Sequence, residues 1–163
     1  MAPRTLIRLA LAAVLYLGAC SLSACSQRDE IAVDVYPATL ARTADPLPAS
    51  GERVEFGGSQ RGGAGLYDIG AEPLLTAWSL VAIRAASQPD GSWAVVARLS
   101  AYGKKQMAAY SADETGGRKF LAVKIDGRWT DFGPLLAEVR DRVTLYGFTK
   151  EETERLERSI ANR

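Results

Sequence analysis

A chain of 163 residues with 20 basic and 19 acidic side chains, no histidine and two cysteines is narrowly bounded before any motif is read. Its near-neutral balance lacks the electrostatic footprint of a nucleic-acid binder. Without histidine there is no Ser-His-Asp or Cys-His machinery and none of the common zinc sites, so neither a metal nor another cofactor is expected.

The chain starts with a short basic stretch, Met1 to Arg8, followed by the apolar run LALAAVLYLGA from Leu9 to Ala19. This is the n-region and h-region of a secretory signal, too short to span a bilayer, which takes about 20 apolar residues. Both cysteines follow at once, in LGAC (17–20) and LSAC (22–25). A disulfide between them would close only a small loop, and a metal would need further ligands. Both tetrapeptides resemble the bacterial lipobox read by the lipoprotein signal peptidase. LSAC is the closer match, which makes Cys25 the expected lipid attachment residue and Cys20 the runner-up. The resemblance implies a signal peptide over 1–24 and a triacylated, palmitate-bearing cysteine; two or more acyl chains hold a protein stably on a membrane. Ser26 and Ser21 follow the two cysteines, where an aspartate would signal inner-membrane retention. The implied location is the outer membrane, facing the periplasm.

Two basic residues, Arg4 and Arg8, lie in the leader and every acidic residue follows it, so the remainder carries a net charge of −1. No cysteine follows Cys25, and the folded part depends on packing alone. Residues 25–50, with three prolines and a short alternating segment at Ile31–Tyr36, read as a lipidated tether with at most one edge strand. The domain is expected over 51–163. Its Gly-rich tract, Gly57 to Gly65, lacks the Gly-Lys-Ser/Thr ending of a phosphate loop and reads as a flexible hairpin or loop.

SLVAIRAAS (79–87) and SWAVVARL (92–99) flank Gln88-Pro89-Asp90-Gly91 and predict a hairpin closed by a type I turn. Ser100 caps a helix over AYGKKQMAAYSADET, with Gly103, Met107 and Tyr110 on one stripe and Gly116-Gly117 ending it. KFLAVKI (119–125) predicts a strand, and Asp126-Gly127 a type I′ turn into RWTDF. Gly133-Pro134 opens an expected short helix, PLLAEVRDR, before a strand at VTLYG (143–147). Thr149 and Glu152 form a capping box for the last helix, whose narrow apolar face carries Thr153, Leu156 and Ile160. The expected fold class is α+β: an antiparallel sheet of hairpins with two or three helices packed on one face.

The segment WAVVARLSAYGKKQMAAYSADETGGRKFLAVKIDGRW, then GP, then VTLYGFTKEETERLERSI resembles the head subdomain of the first periplasmic domain of SecD, an export-accessory membrane protein. Gly103 with Met107, Leu121-Ala122-Val123, Asp126-Gly127, Pro134 and Gly147-Phe148-Thr149 with Glu151-Glu152 occupy the family's positions. Upstream, PLLTAWSLVAIRA matches its Leu-Leu-Thr segment, with Ser79 where an aspartate is usual. The resemblance spans roughly Leu66 to Ile160. It implies the fold and a role in protein transport, in contact with polypeptide or envelope proteins. It transfers no individual binding residue. SecD couples protons through membrane helices, and beyond the leader this chain has no comparable apolar stretch.

The expected function is therefore a non-catalytic, lipid-anchored binding or accessory module. A structural component of an envelope complex and, less favoured, an envelope hydrolase are the alternatives. Trp78, Trp93 and Trp129 are candidate contact residues, with Trp93 better suited to the core. For a hydrolase, the carboxylate pairs would be Asp113 with Glu114 or Asp126 with Asp131.

Overall fold

The computed structural model describes residues 30–59, 61–113 and 118–163. The leader, both cysteines and Glu114 lie outside the described residues. Ile31–Arg163 forms one compact unit of α+β class. The order is β1 (Val33–Ala41), β2 (Glu52–Phe56), β3 (Gly65–Ile69), β4 (Leu75–Thr76), a 3-10 turn at Ala77–Ser79, β5 (Leu80–Ser87), β6 (Trp93–Leu99), α1 (Ala101–Ala112), β7 (Lys119–Ile125), β8 (Arg128–Pro134), β9 (Arg142–Phe148) and α2 (Lys150–Ala161).

The strands divide into two antiparallel sheets, where the sequence suggested one. The larger runs β2-β3-β1-β7-β8, with β4 also on β1; the smaller runs β5-β6-β9. Val33, Val35, Leu121, Val123 and Ile125 of the first share a core with Val95, Ala97, Leu99, Val143 and Leu145 of the second, closed by Met107 of α1 and Leu156 of α2. The larger sheet buries its other face too. It curls until Phe56 of β2 reaches Phe132 of β8, ring centroids 4.6 Å apart, and encloses Tyr67, Ile69, Phe120 and Ala122. The imperfect alternation of KFLAVKI follows from this: β7 is an interior strand with apolar neighbours on both faces.

Three expectations are corrected. Ile31–Tyr36 is no edge strand in a tether. It leads into β1, which pairs with β7 along one side and with β3 and β4 along the other. Pro46 and Pro48 belong to the connection after this strand. The helix expected after Gly133-Pro134 does not form. β8 continues through Pro134, which pairs with Phe120, because a strand paired on one side tolerates a residue without an amide proton. Residues 135–141 then run without regular structure. The Gly-rich tract does connect a hairpin, β2 to β3, but it is pinned. Gly62 lies so close to β8 that a Cβ would stand 2.2 Å from the Phe132 carbonyl oxygen, and the Tyr67 hydroxyl donates to the Gly63 carbonyl at 2.8 Å.

The local signals elsewhere form as read. Asp126 (φ 46°) and Gly127 (φ 81°) make the left-handed turn. The Ser100 hydroxyl accepts from the Gly103 amide at 3.2 Å. Thr149 and Glu152 exchange both bonds of the capping box, at 2.8 and 3.1 Å. Along the α1 stripe Gly103 and Met107 are buried, and the Tyr110 hydroxyl donates to the Phe120 carbonyl at 2.9 Å.

Candidate binding site

An antiparallel sheet leaves unpaired backbone donors and acceptors along its outer strands, and proteins usually guard them with charge, proline, bulges or covering segments. β2 carries Glu52, Arg53 and Glu55, with Arg53 locked to Asp68 at 2.6 Å. β8 bulges at Thr130, ends in Pro134 and is crossed by the glycine loop. β9 lies beside β8, joined to it by the Thr130 hydroxyl, which is 3.2 Å from the Tyr146 carbonyl and 3.3 Å from that of Val123.

β5 is the least guarded. Among the described residues it pairs only with β6, and its eight residues, LVAIRAAS, include no proline and one charge. A bulge between Leu80 and Ala82 breaks its start. There the Arg163 guanidinium donates to the carbonyls of Ala77 (2.7 Å) and Leu80 (3.4 Å). From Ala82 to Ser87 no strand among the described residues pairs along the outer edge.

Beside this start stand two exposed apolar side chains, Trp78 (69% exposed) and Val81 (42%). The capped turn Ala77–Ser79 buries Ala77 and Ser79 and turns Trp78 outward; the Arg163 guanidinium lies 4.3 Å from its ring centre. The other two tryptophans are engaged. Trp93 packs on the main core. Trp129 packs on the aromatic core, 5.4 Å from Tyr36, under the Lys124 ammonium. Of the three candidate contact residues, Trp78 alone is exposed.

A second feature is a polar cleft of about 250 Å³ lined by Ser59, Arg61, Arg128, Asp131 and Tyr146 among others, slightly below the range of small-molecule sites. Asp131 is 2% exposed. Burial pushes its carboxyl above the usual range, opposed by a hydrogen bond from the Ser59 hydroxyl (2.5 Å) and by the Arg61 charge. The Ser59 oxygen also accepts the Gly62 amide at 2.9 Å. Asp131 therefore latches the glycine loop onto β8.

Of the other proposed carboxylates, Asp126 serves the fold as well. Asp126 lies outside this cleft, accepting from the Ala32 amide (3.0 Å) and Arg155 (2.7 Å). The Asp113 carbonyl accepts from Lys119 at the end of α1. Among the described residues no three His, Cys, Asp or Glu side chains group as a metal site. Sequence reading could not say which strand carries an open edge, since an outer strand and an inner one share the same apolar pattern. It missed Ser59, whose partner is far along the chain.

No family model and no curated protein matches the chain. Among solved structures, it is similar to SecDF, described as a membrane component that enhances protein export, with 26% identity and a TM-score of 0.43 over 55% of this chain and 40% of that one. A second SecDF structure, in a super-membrane-facing form, gives 24% identity and a TM-score of 0.42 over 55% of this chain and 12% of that one. The chain thus spans less than half the length of either.

Proposed function

We propose that this protein is a lipid-anchored, non-catalytic module of the bacterial envelope that binds extended polypeptide by adding it as a strand to β5. The observation that carries the reading is the one-sided pairing of β5 with Trp78 and Val81 exposed beside it. Main-chain hydrogen bonds to an outer strand supply affinity with little demand on sequence, and a large aromatic at the end of the edge is the usual kind of anchor. The sequence resemblance to the SecD periplasmic head, whose implied partners are polypeptides and envelope proteins, agrees with it. The anchor is Cys25, in LSAC, with its lipid in the outer membrane and the domain facing the periplasm. Intact mass of the membrane-extracted protein is expected to show a lipid-modified Cys25 at the N-terminus; an N-terminus at Cys20 would move the anchor.

Titrating the Ile31–Arg163 unit with a permanently unfolded, alkylated polypeptide and following tryptophan emission tests the binding. An interface under about 1,200 Å² belongs to the weak, transient class, so micromolar affinity is expected. Trp78→Ala should weaken it about tenfold, a hot-spot loss, without lowering the melting temperature. Amide exchange should slow on alternate residues of β5. Absence of binding, or protection confined to another strand, would overturn the reading.

A further inference from the structure

The smaller sheet has one covered face and one open face. Its covered face gives Val95, Ala97, Leu99, Val143 and Leu145 to the core that includes α1 and α2. Alternation sends the intervening residues to the other side, and the register states which ones meet. Arg98 of β6 lies opposite Ala82 of β5 and Arg142 of β9; Val96 lies opposite Arg84 and Thr144. Arg84, Val96, Arg98 and Arg142 are all exposed. Three guanidiniums therefore stand on neighbouring strands of one face, with small Ala82 opposite Arg98 and exposed Ala86 beyond Arg84; the face is exposed at these arginines and becomes buried at Ala94.

No carboxylate shares that alternation. Among the described residues neither Arg84 nor Arg98 has an ion-pair partner, and Arg142 makes only a loose contact with exposed Asp141 at 3.7 Å. Like charges this close on a small sheet repel one another, and an isolated domain gains nothing from collecting them. A flat basic face fits a flat anionic partner.

We infer that this open face docks on a membrane surface bearing anionic lipid headgroups. The short link between anchor and domain favours a lipid surface over an acidic protein. Cys25 stands six positions before Ile31, where the compact unit begins, so a lipid on Cys25 holds the domain within about 20 Å of the bilayer even with the link fully extended. The tether keeps the domain close enough to sample the layer of about 8 Å over which, at physiological salt, a negative surface attracts basic side chains. Guanidinium also matches phosphate with two parallel hydrogen bonds. The inference rests on the Cys25 anchor of the proposed function, and it holds whether or not the β5 edge takes up peptides.

The test is co-sedimentation of the Ile31–Arg163 unit with vesicles of phosphatidylcholine, alone or mixed with phosphatidylglycerol. Binding should require phosphatidylglycerol and fade as salt rises toward about 1 M. Each of Arg84→Gln, Arg98→Gln and Arg142→Gln should weaken it about fivefold. The triple Arg→Lys variant should retain most of it, which separates loss of charge from loss of fold. Lys104→Gln with Lys105→Gln, on α1, should change it little. Equal binding to both vesicle types, or undiminished binding by the triple Gln variant, would overturn the proposal. So would soluble polyglutamate binding as tightly as the vesicles, which would reassign the face to an acidic protein.

Discussion

Asp131 and Gly127 illustrate two ways a single residue constrains this fold. Because burial raises the Asp131 pKa, the folded protein holds that proton more tightly than the unfolded chain does. Its ionisation therefore costs stability as pH rises from the ordinary carboxylate value through the raised one, and acidification relieves that cost. Asp68 shifts the other way, lowered by its hydrogen bond from Arg53, so comparison with a variant is needed to isolate Asp131. Denaturant titrations of wild type and Asp131→Asn between about pH 3 and pH 7 should show the wild type losing ground to the variant as pH rises; parallel curves would contradict this. Gly127 acts through its backbone. At φ 81°, with no atom within 4 Å of where a Cβ would stand, a side chain meets no obstacle and only conformational strain. Gly127→Val should cost about 1–2 kcal/mol, measured as a lower denaturant midpoint with an unchanged slope. Asp126-Gly127 was legible because a two-residue turn is a local event; the burial of Asp131 was not, because Ser59 approaches from a distant loop.

Helix α2 shows how much of an element local sequence controls. Thr149 and Glu152 cap its first turn, and Glu152 also accepts from Arg128 at 2.9 Å, so the cap ties the helix to β8. Thr149→Ala should lower stability by about 1 kcal/mol and Thr149→Ser should restore most of it, read from chemical denaturation. The buried side of α2, Thr153 and Leu156, follows directly from helical spacing. Pro134 marks the limit of such reasoning. Gly-Pro suits a helix start or the end of an outer strand equally well. The choice falls to the strand because Phe132 is buried and Leu121 of β7 pairs with Gly133. Likewise the short run at Ile31–Tyr36, flanked by small and polar residues, looks peripheral in one dimension. It is central because β7 and the β3–β4 region offer it partners on both sides.

For the whole molecule, the position of β1 sets the smallest piece that can fold. Ile31, Val33 and Val35 are each no more than 2% exposed. Losing three such side chains removes about 5–9 kcal/mol of burial, comparable with the total stability of a typical domain, and leaves β7 unpaired along one side. A fragment starting at Gly51 should therefore lack a cooperative melt and dispersed amide resonances, whereas one starting at Ile31 should show both. A folded Gly51–Arg163 fragment would refute the central role of β1. Turns, caps, the two helices that form and most strand runs could be read from the chain alone, because each rests on contacts within a few residues, and together they gave the α+β class. The division into two sheets, the curl that encloses Tyr67 and Phe132, the open edge of β5 and the gathering of Arg84, Arg98 and Arg142 on one face could not. Each depends on which strand lies next to which, and hydrogen-bonded pairing between strands far apart in sequence is set by the burial of both sheets together rather than by any local pattern.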